Sequence, residues 1–137
     1  MTMTDTARSF FEACETGQGW DRCKQWCHDG ATFSCQADAL AEIDSLAGYT
    51  EWTKGILGPI PDGHYELKGF APDPERGAVI AAAIFKGTQS GDGGPVAPTG
   101  KAVATDYVYV MEFDGVKIRH MTKIWNDLQA LRQLGWA

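Results

Sequence analysis

The firmest pattern in the chain is a pair of alternating stretches near its C-terminal end. Thr105 to Phe113 is dense in Tyr, Val and Phe, side chains that suit a pleated, half-buried surface. Asp114-Gly115 supplies a turn, since both residues tolerate the φ > 0 conformations of a tight hairpin. Lys117 to Trp125 alternates polar and apolar positions and predicts the returning arm. A period of two places Arg119, Met121, Lys123, Trp125 and Asp127 on one face and Ile118, His120, Thr122, Ile124 and Asn126 on the other. Both sets hold large apolar side chains, so the pattern leaves open which face points inward.

The N-terminal part follows a helical period. Thr4 to Glu15 carries an apolar stripe of Ala7, Phe10, Phe11 and Cys14, with Thr4 or Asp5 as cap and Gly17 as terminator. Trp20 to Cys27 predicts a second helix, and His28-Asp29-Gly30 a turn before a short strand from Ala31 to Cys35. Residues 39–44 carry no clear pattern. Ser45 to Leu57 predicts a third helix, capped by Ser45, with Leu46, Tyr49, Trp52, Thr53 and Ile56 on one side. The run Gly58 to Gly63 breaks it. Strands follow at His64 to Ala71 and Ala78 to Thr88, joined by a turn at Asp73 to Gly77. Gln89 to Gly100 is a Gly/Pro-rich loop, and Leu128 to Leu134 predicts a short helical tail.

Helices first and strands afterwards predict an α+β fold, three N-terminal helices packed on a strongly curved, mostly antiparallel sheet. Such a cone offers an apolar ligand pocket at its open end. Neither a repeat nor a linker interrupts residues 1–137, which are read as one domain.

Composition narrows the classes of function. Hydrophobic residues make up 44% and charged residues 22%, the balance of a soluble globular protein. The net charge of −6 comes with no basic stripe, so nucleic acid is not an expected partner. No apolar run reaches the ~20 residues of a membrane helix, so no membrane partner is expected either. The N-terminal residues lack an export signal's basic and apolar regions, and a cytoplasmic protein is expected. Cys14, Cys23, Cys27 and Cys35 lie in the first quarter. Without a CxxC pair or a second nearby His they suggest neither a metal site nor disulfides; they are read as small buried hydrophobes.

The motifs then point further. The blocks Gly87-Thr88-Gln89-Ser90-Gly91 and Pro98-Thr99-Gly100-Lys101 are followed by Asp114-Gly115-Val116-Lys117-Ile118, Trp125-Asn126-Asp127 and Gln133-Leu134-Gly135. Together they resemble the SnoaL-like polyketide cyclase (ester cyclase) group of the nuclear-transport-factor-2-like, ketosteroid-isomerase-like superfamily. The resemblance implies an α+β cone, frequently dimeric, with an apolar pocket and neither metal nor cofactor. It implies that a strand-end Asp serves as acid/base in an intramolecular aldol ring closure, and Asp127 matches that position. Because Val116 is an insertion in the turn, counting back from Gln133-Leu134-Gly135 places Asn126 there instead.

The expected catalytic residues are therefore Asp127, as base, and His120, as a group that polarises a carbonyl or shuttles a proton. Each has a bland alternative, a helix cap for Asp127 and a hydrogen-bonded structural imidazole for His120. Tyr49, Trp52, Tyr107, Tyr109 and Trp125 are expected to line the pocket, with Asp106 and Asn126 as further polar contacts; aromatic stripes of this kind are also common as plain core. Lys123 reads more readily as a salt-bridged or surface lysine than as an electrophile or Schiff-base amine. A small cofactor-free cyclase or isomerase is expected, acting on a carbonyl-activated cyclic or polyketide-like molecule. The alternatives are a non-catalytic ligand-binding module and a dimerisation domain. Apolar residues on both faces of the Thr105 to Phe113 arm predict a homodimer through the outer face of the sheet.

Overall fold

Alternation in the C-terminal half produces a mixed sheet, and the N-terminal stripes produce the helices that cover its inner face. The computed structural model describes residues 1–137. Its elements are α1 (Met3–Glu15), α2 (Gly19–Cys23), β1 (Cys27–Cys35), α3 (Leu46–Ile56), β2 (His64–Asp73), β3 (Ala78–Thr88), β4 (Ala102–Asp114), β5 (Lys117–Trp125) and α4 (Asp127–Leu134). The five strands form one sheet in the order β1-β5-β4-β3-β2. Only the β1–β5 pair is parallel. The sheet curls without closing, which matches the α+β architecture expected from element order.

Register decides which face of β5 points inward. Glu112 pairs with His120, but Phe113 pairs with Ile118, so Arg119 is an extra residue without a partner. A bulge of this kind restores the pleat one residue out of step. Ile118 and Met121, on opposite faces of a regular strand, are consequently both fully buried. Lys123 and Trp125 follow Met121 onto the inner face, whereas Ile124 points outward and is 60% exposed. Gly115 (φ 64°) makes the turn before β5, a conformation that costs a residue without a Cβ little.

Helix ends differ slightly from expectation. The cap of α1 is Thr2 rather than Thr4 or Asp5. Thr2 and Asp5 exchange hydrogen bonds through side chain and backbone, satisfying two orphan donors at once; Asp5 thus serves as the third helical residue of the cap, not as the cap itself. Helix α2 stops at Cys23 and tightens into a 3-10 turn, Lys24 to Trp26. The expected turn His28-Asp29-Gly30 lies inside β1, whose register with β5 is interrupted there. Ser45 caps α3 as expected, accepting from Gly48 N–H at 3.0 Å. No helix is long and apolar enough to cross a membrane.

Candidate active site

The inner faces of β3, β4 and β5, together with α3 and α4, enclose a cavity of about 70 Å³. That holds a few waters or a compact organic group and is smaller than the ~300 Å³ at which drug-sized sites begin. Helix α3 contributes Tyr49, Trp52, Thr53 and Ile56; β4 contributes Val103, Thr105 and Tyr107; β5 contributes Lys123 and Trp125. Ala130, Leu131, Leu134 and Trp136 complete the wall from α4 and beyond. Glu15, Thr53, Thr105 and Lys123 are its only polar lining residues apart from tyrosine and tryptophan. Thr53 donates to Tyr49 O at 3.1 Å and Thr105 accepts a hydrogen bond from the Trp125 indole at 3.0 Å, which leaves two charged side chains to set the chemistry.

Those two are joined by tyrosines. Tyr107 and Tyr109 donate to the two carboxylate oxygens of Glu15, the latter at 2.8 Å. Tyr109 thereby uses its single proton, so in the 2.5 Å contact between Tyr49 and Tyr109 Tyr49 must be the donor. Lys123 Nζ donates to Tyr49 Oη at 2.9 Å. The chain Lys123, Tyr49, Tyr109, Glu15 is thus one unbranched series of donors pointing from the amine to the carboxylate.

Burial sets the protonation of both ends. Glu15 is 5% and Lys123 6% exposed, and charge is costly in such places. Burial holds the Glu15 carboxyl above its ordinary range, against the pull of the Tyr107 hydroxyl and the Lys123 charge. Burial lowers the Lys123 ammonium to about 8, against the charge of Glu15. Lys123 makes no ion pair; its Nζ lies 4.2 to 5.4 Å from the ring centroids of Trp125, Tyr49, Trp52 and Tyr107. Tyr49, Tyr107 and Tyr109 are all held above the ordinary phenol range, by burial first and by the Glu15 charge second, and so remain proton donors.

The expected site residues divide into two groups. Tyr49, Trp52, Tyr107 and Trp125 stand in the cavity wall, and Tyr109 sits behind it with its hydroxyl in the relay. The others lie elsewhere. His120 occupies the outer face of the sheet, bonded to Thr32 at 2.7 Å and Ser34 at 3.1 Å. Asp106 also faces outward and pairs with Lys68 at 3.1 Å. Asn126 caps α4, accepting from Gln129 N–H at 3.2 Å. Asp127 opens α4, outside the cavity lining; its carboxylate accepts from Ala39 N–H at 2.8 Å and Leu128 N–H at 2.9 Å. Nowhere do three His, Cys, Asp or Glu side chains converge in a way that could hold a metal ion.

Two functional candidates had readable signals. Glu15 continues the apolar stripe of α1 at Ala7 and Phe11, four residues past Phe11, so it is an acid on the buried face of a helix. Lys123 lies between Met121 and Trp125 on one strand face, yet it is neither salt-bridged nor exposed. Only its neighbours in space reveal that.

The motif blocks belong to the frame around this cavity. The buried Gln89 side chain bonds Thr99 N–H and Gly91 O, which folds the loop 89–100 back on itself. Thr99 Oγ1 then donates to Leu134 O at 2.7 Å, latching the loop to the end of α4, where Gly135 (φ 78°) closes the helix.

A largely apolar cavity with a few polar groups is the usual form of a small-molecule site. Residues 5–134 match the family model of SnoaL-like polyketide cyclases, and the chain belongs to that family. No curated protein matches it. Among solved structures it is similar to AclR, a proposed hydroxylase from Streptomyces galilaeus, with 18% identity over 98% of this chain and 82% of the other and a TM-score of 0.78. It is similar to IdmH, a proposed polyketide cyclase from Streptomyces antibioticus, with 18% identity, 98% and 99% coverage and a TM-score of 0.75. A proposed polyketide cyclase from Acidithiobacillus ferrooxidans shares 20% identity over 100% and 97% of the two chains, with a TM-score of 0.77. These identities establish the shared fold; the chemistry must be argued from this chain's own site.

Proposed function

We propose that the protein is a small enzyme of cyclase or isomerase type that moves a proton at carbon next to a carbonyl in a compact, largely apolar molecule. The observation that carries this reading is the buried series Lys123–Tyr49–Tyr109–Glu15 at the edge of an otherwise apolar cavity. A passive hydrophobic pocket gains nothing from burying a cation and a carboxylate, whose desolvation opposes folding. Acid/base chemistry on a carbon acid needs both: a base of raised pKa and a positive group where enolate charge develops. Glu15 supplies the first and Lys123 the second. The aromatic walls would hold the substrate's flat face. Asp127, with both oxygens engaged by backbone N–H groups beside the rim, has the role of fixing α4 against the segment at Ala39.

The test starts from compact cyclic ketones and diketones screened by thermal shift. Binders are then followed by NMR in D₂O for exchange of hydrogens next to the carbonyl. The native protein is expected to accelerate exchange, and Glu15→Gln to reduce it by roughly 10²–10⁴-fold. Binding without acceleration would instead make the protein a ligand-binding module. Loss of exchange in Asp127→Asn, with Glu15→Gln unaffected, would return the base to Asp127.

A further inference from the structure

Lys123 is built unlike a lysine that merely carries charge. An ammonium has three N–H groups to satisfy, and this one has a single hydrogen-bond acceptor, Tyr49. No carboxylate pairs with it. The remaining contacts are the rings of Trp52, Tyr107 and Trp125 and of Tyr49 itself. Ring faces favour the cation, whereas burial disfavours it and lowers the ammonium to about 8, against the charge of Glu15. A neutral amine fits the same place, bonded to Tyr49 as donor or acceptor, and rotation about the Cε–Nζ bond turns its lone pair away from Tyr49. Lys123 and the four rings around its Nζ all line the cavity, which places the nitrogen at the cavity wall.

We infer that Lys123 is a nucleophile that condenses with a carbonyl group of the molecule in the cavity, forming an imine. This rests on the acid/base reading above and sharpens it: the substrate is a ketone or aldehyde whose carbonyl carbon meets Nζ. The nitrogen lone pair attacks that carbon and a C–N bond forms. The carbonyl oxygen gains the two protons that nitrogen loses and departs as water, so no oxidant or further reactant is required. A proton passed back from Glu15 through the tyrosines converts the imine to an iminium, which withdraws electrons from the neighbouring carbon. That carbon's proton goes to the Glu15 carboxylate so regenerated, and the resulting enamine is the carbon nucleophile of an aldol-type ring closure. The tyrosine relay has a defined part. Moving one proton along each of its hydrogen bonds converts ammonium and carboxylate into amine and carboxyl with no change in total charge. Lys123 can therefore be deprotonated for attack without expelling a proton into solvent.

The groups facing the amine from the elements around it are Glu15 and Cys14 on α1, Tyr49 on α3, Tyr107 and Tyr109 on β4, and Cys35 on β1. Burial holds the Cys14 thiol and the three phenols above their ordinary ranges. Burial places Lys123 itself near pH 8. The reactive fraction should rise with pH through that value, well before an exposed lysine at ~10.4.

Acetylacetone is a suitable probe, because a primary amine converts it into a conjugated enaminone with loss of water and a new near-ultraviolet band. The whole protein is incubated with it at pH 7, 8 and 9 and the adduct is located by peptide mass spectrometry. Attachment to Lys123 is expected at least tenfold faster than to any of the six other lysines, none of which is buried. The rate should rise about fivefold from pH 7 to 8, as the amine fraction does for a group titrating near 8. Lys123→Arg, which keeps the charge and removes this nucleophile, should remove the fast-forming part of the band and leave only the slow reaction of the other lysines. Quenching of Trp52 and Trp125 fluorescence reports noncovalent entry in both proteins. Entry without preferential Lys123 adduct at any pH would overturn the imine and leave the acid/base reading standing. Wild-type carbon–hydrogen exchange surviving in Lys123→Arg would overturn it equally. Absence of both entry and adduct would count against the cavity as a carbonyl site and hence against both.

Discussion

Glu15 and Lys123 are each a charge in a place that chemistry disfavours, and their effect on stability is measurable. The Lys123 pKa is lowered by burial to about 8 in the folded chain and lies near ~10.4 when unfolded. Between those values the unfolded state binds the extra proton, so stability rises with pH across that window. Below about 8 the penalty is fully present. A shift of that size corresponds to roughly 3 kcal/mol, a ceiling because Glu15 loses the attraction of Lys123 when the cation is removed. Lys123→Met should therefore be more stable than the native chain at pH 7 in urea unfolding, and the gap should shrink by pH 10. A gap independent of pH would mean that Lys123 is not the titrating group. Glu15 works in the opposite direction: its raised carboxyl makes folding less favourable as pH rises above its unfolded value near 4.3.

At the scale of elements, the cavity depends on how α4 and the loop 89–100 are pinned. Asn126→Ala removes the cap of α4 and should cost ~1 kcal/mol, read as a lower urea midpoint at unchanged slope. Asp127→Asn keeps an acceptor for Ala39 and should leave carbon–hydrogen exchange within a few-fold of native. Gly91 is a sharper case. A Cβ there would stand 2.1 Å from the backbone oxygen of Gly58, and backbone cannot rotate away. Gly91→Ala should destabilise by about 1–3 kcal/mol, as overpacking does. Gly55 on α3 is the control, since a Cβ there meets nothing within 4 Å and alanine favours helix by up to ~1 kcal/mol. Denaturation should move the two variants in opposite directions.

For the molecule as a whole, the outer face of the sheet suggests self-association. Val108 lies between Ala82 and Ile124, and Val110 between Ile80 and Thr122, in adjacent registered rows. Ile124 is 60% exposed, and a row of apolar side chains on an open face marks an interaction surface. We propose that two copies pair through this face, with His120, Thr32 and Ser34 at its polar margin. Sedimentation at micromolar concentration should show a dimer, and Val110→Arg a folded monomer with its cavity intact. A native monomer would count against pairing. Size is the other whole-molecule constraint: with about 70 Å³ available, multi-ring molecules should bind only if the half-exposed Trp52, Trp125 or Trp136 moves.

The sequence by itself determined the elements, their order and the family. Period-3.6 stripes, period-2 arms and Gly/Pro breaks are local signals, and local backbone preferences largely honour them here. The motif blocks were also legible, and in space Gln89, Thr99 and Leu134 from three of them latch the loop 89–100 to α4. What only the tertiary structure decided was the site. A single unpaired residue, Arg119, put Ile118 on the same buried side as Met121, and no periodicity contains a bulge. His120 and Asp106 looked like pocket groups by residue type, but strand parity turned them outward. Glu15 and Lys123 stand 108 positions apart, joined through tyrosines from a helix and a strand that lie between them in the chain. Nothing along the chain couples such residues; packing α1 and α3 against the curled sheet brings them together, and the exclusion of water there makes their charges reactive.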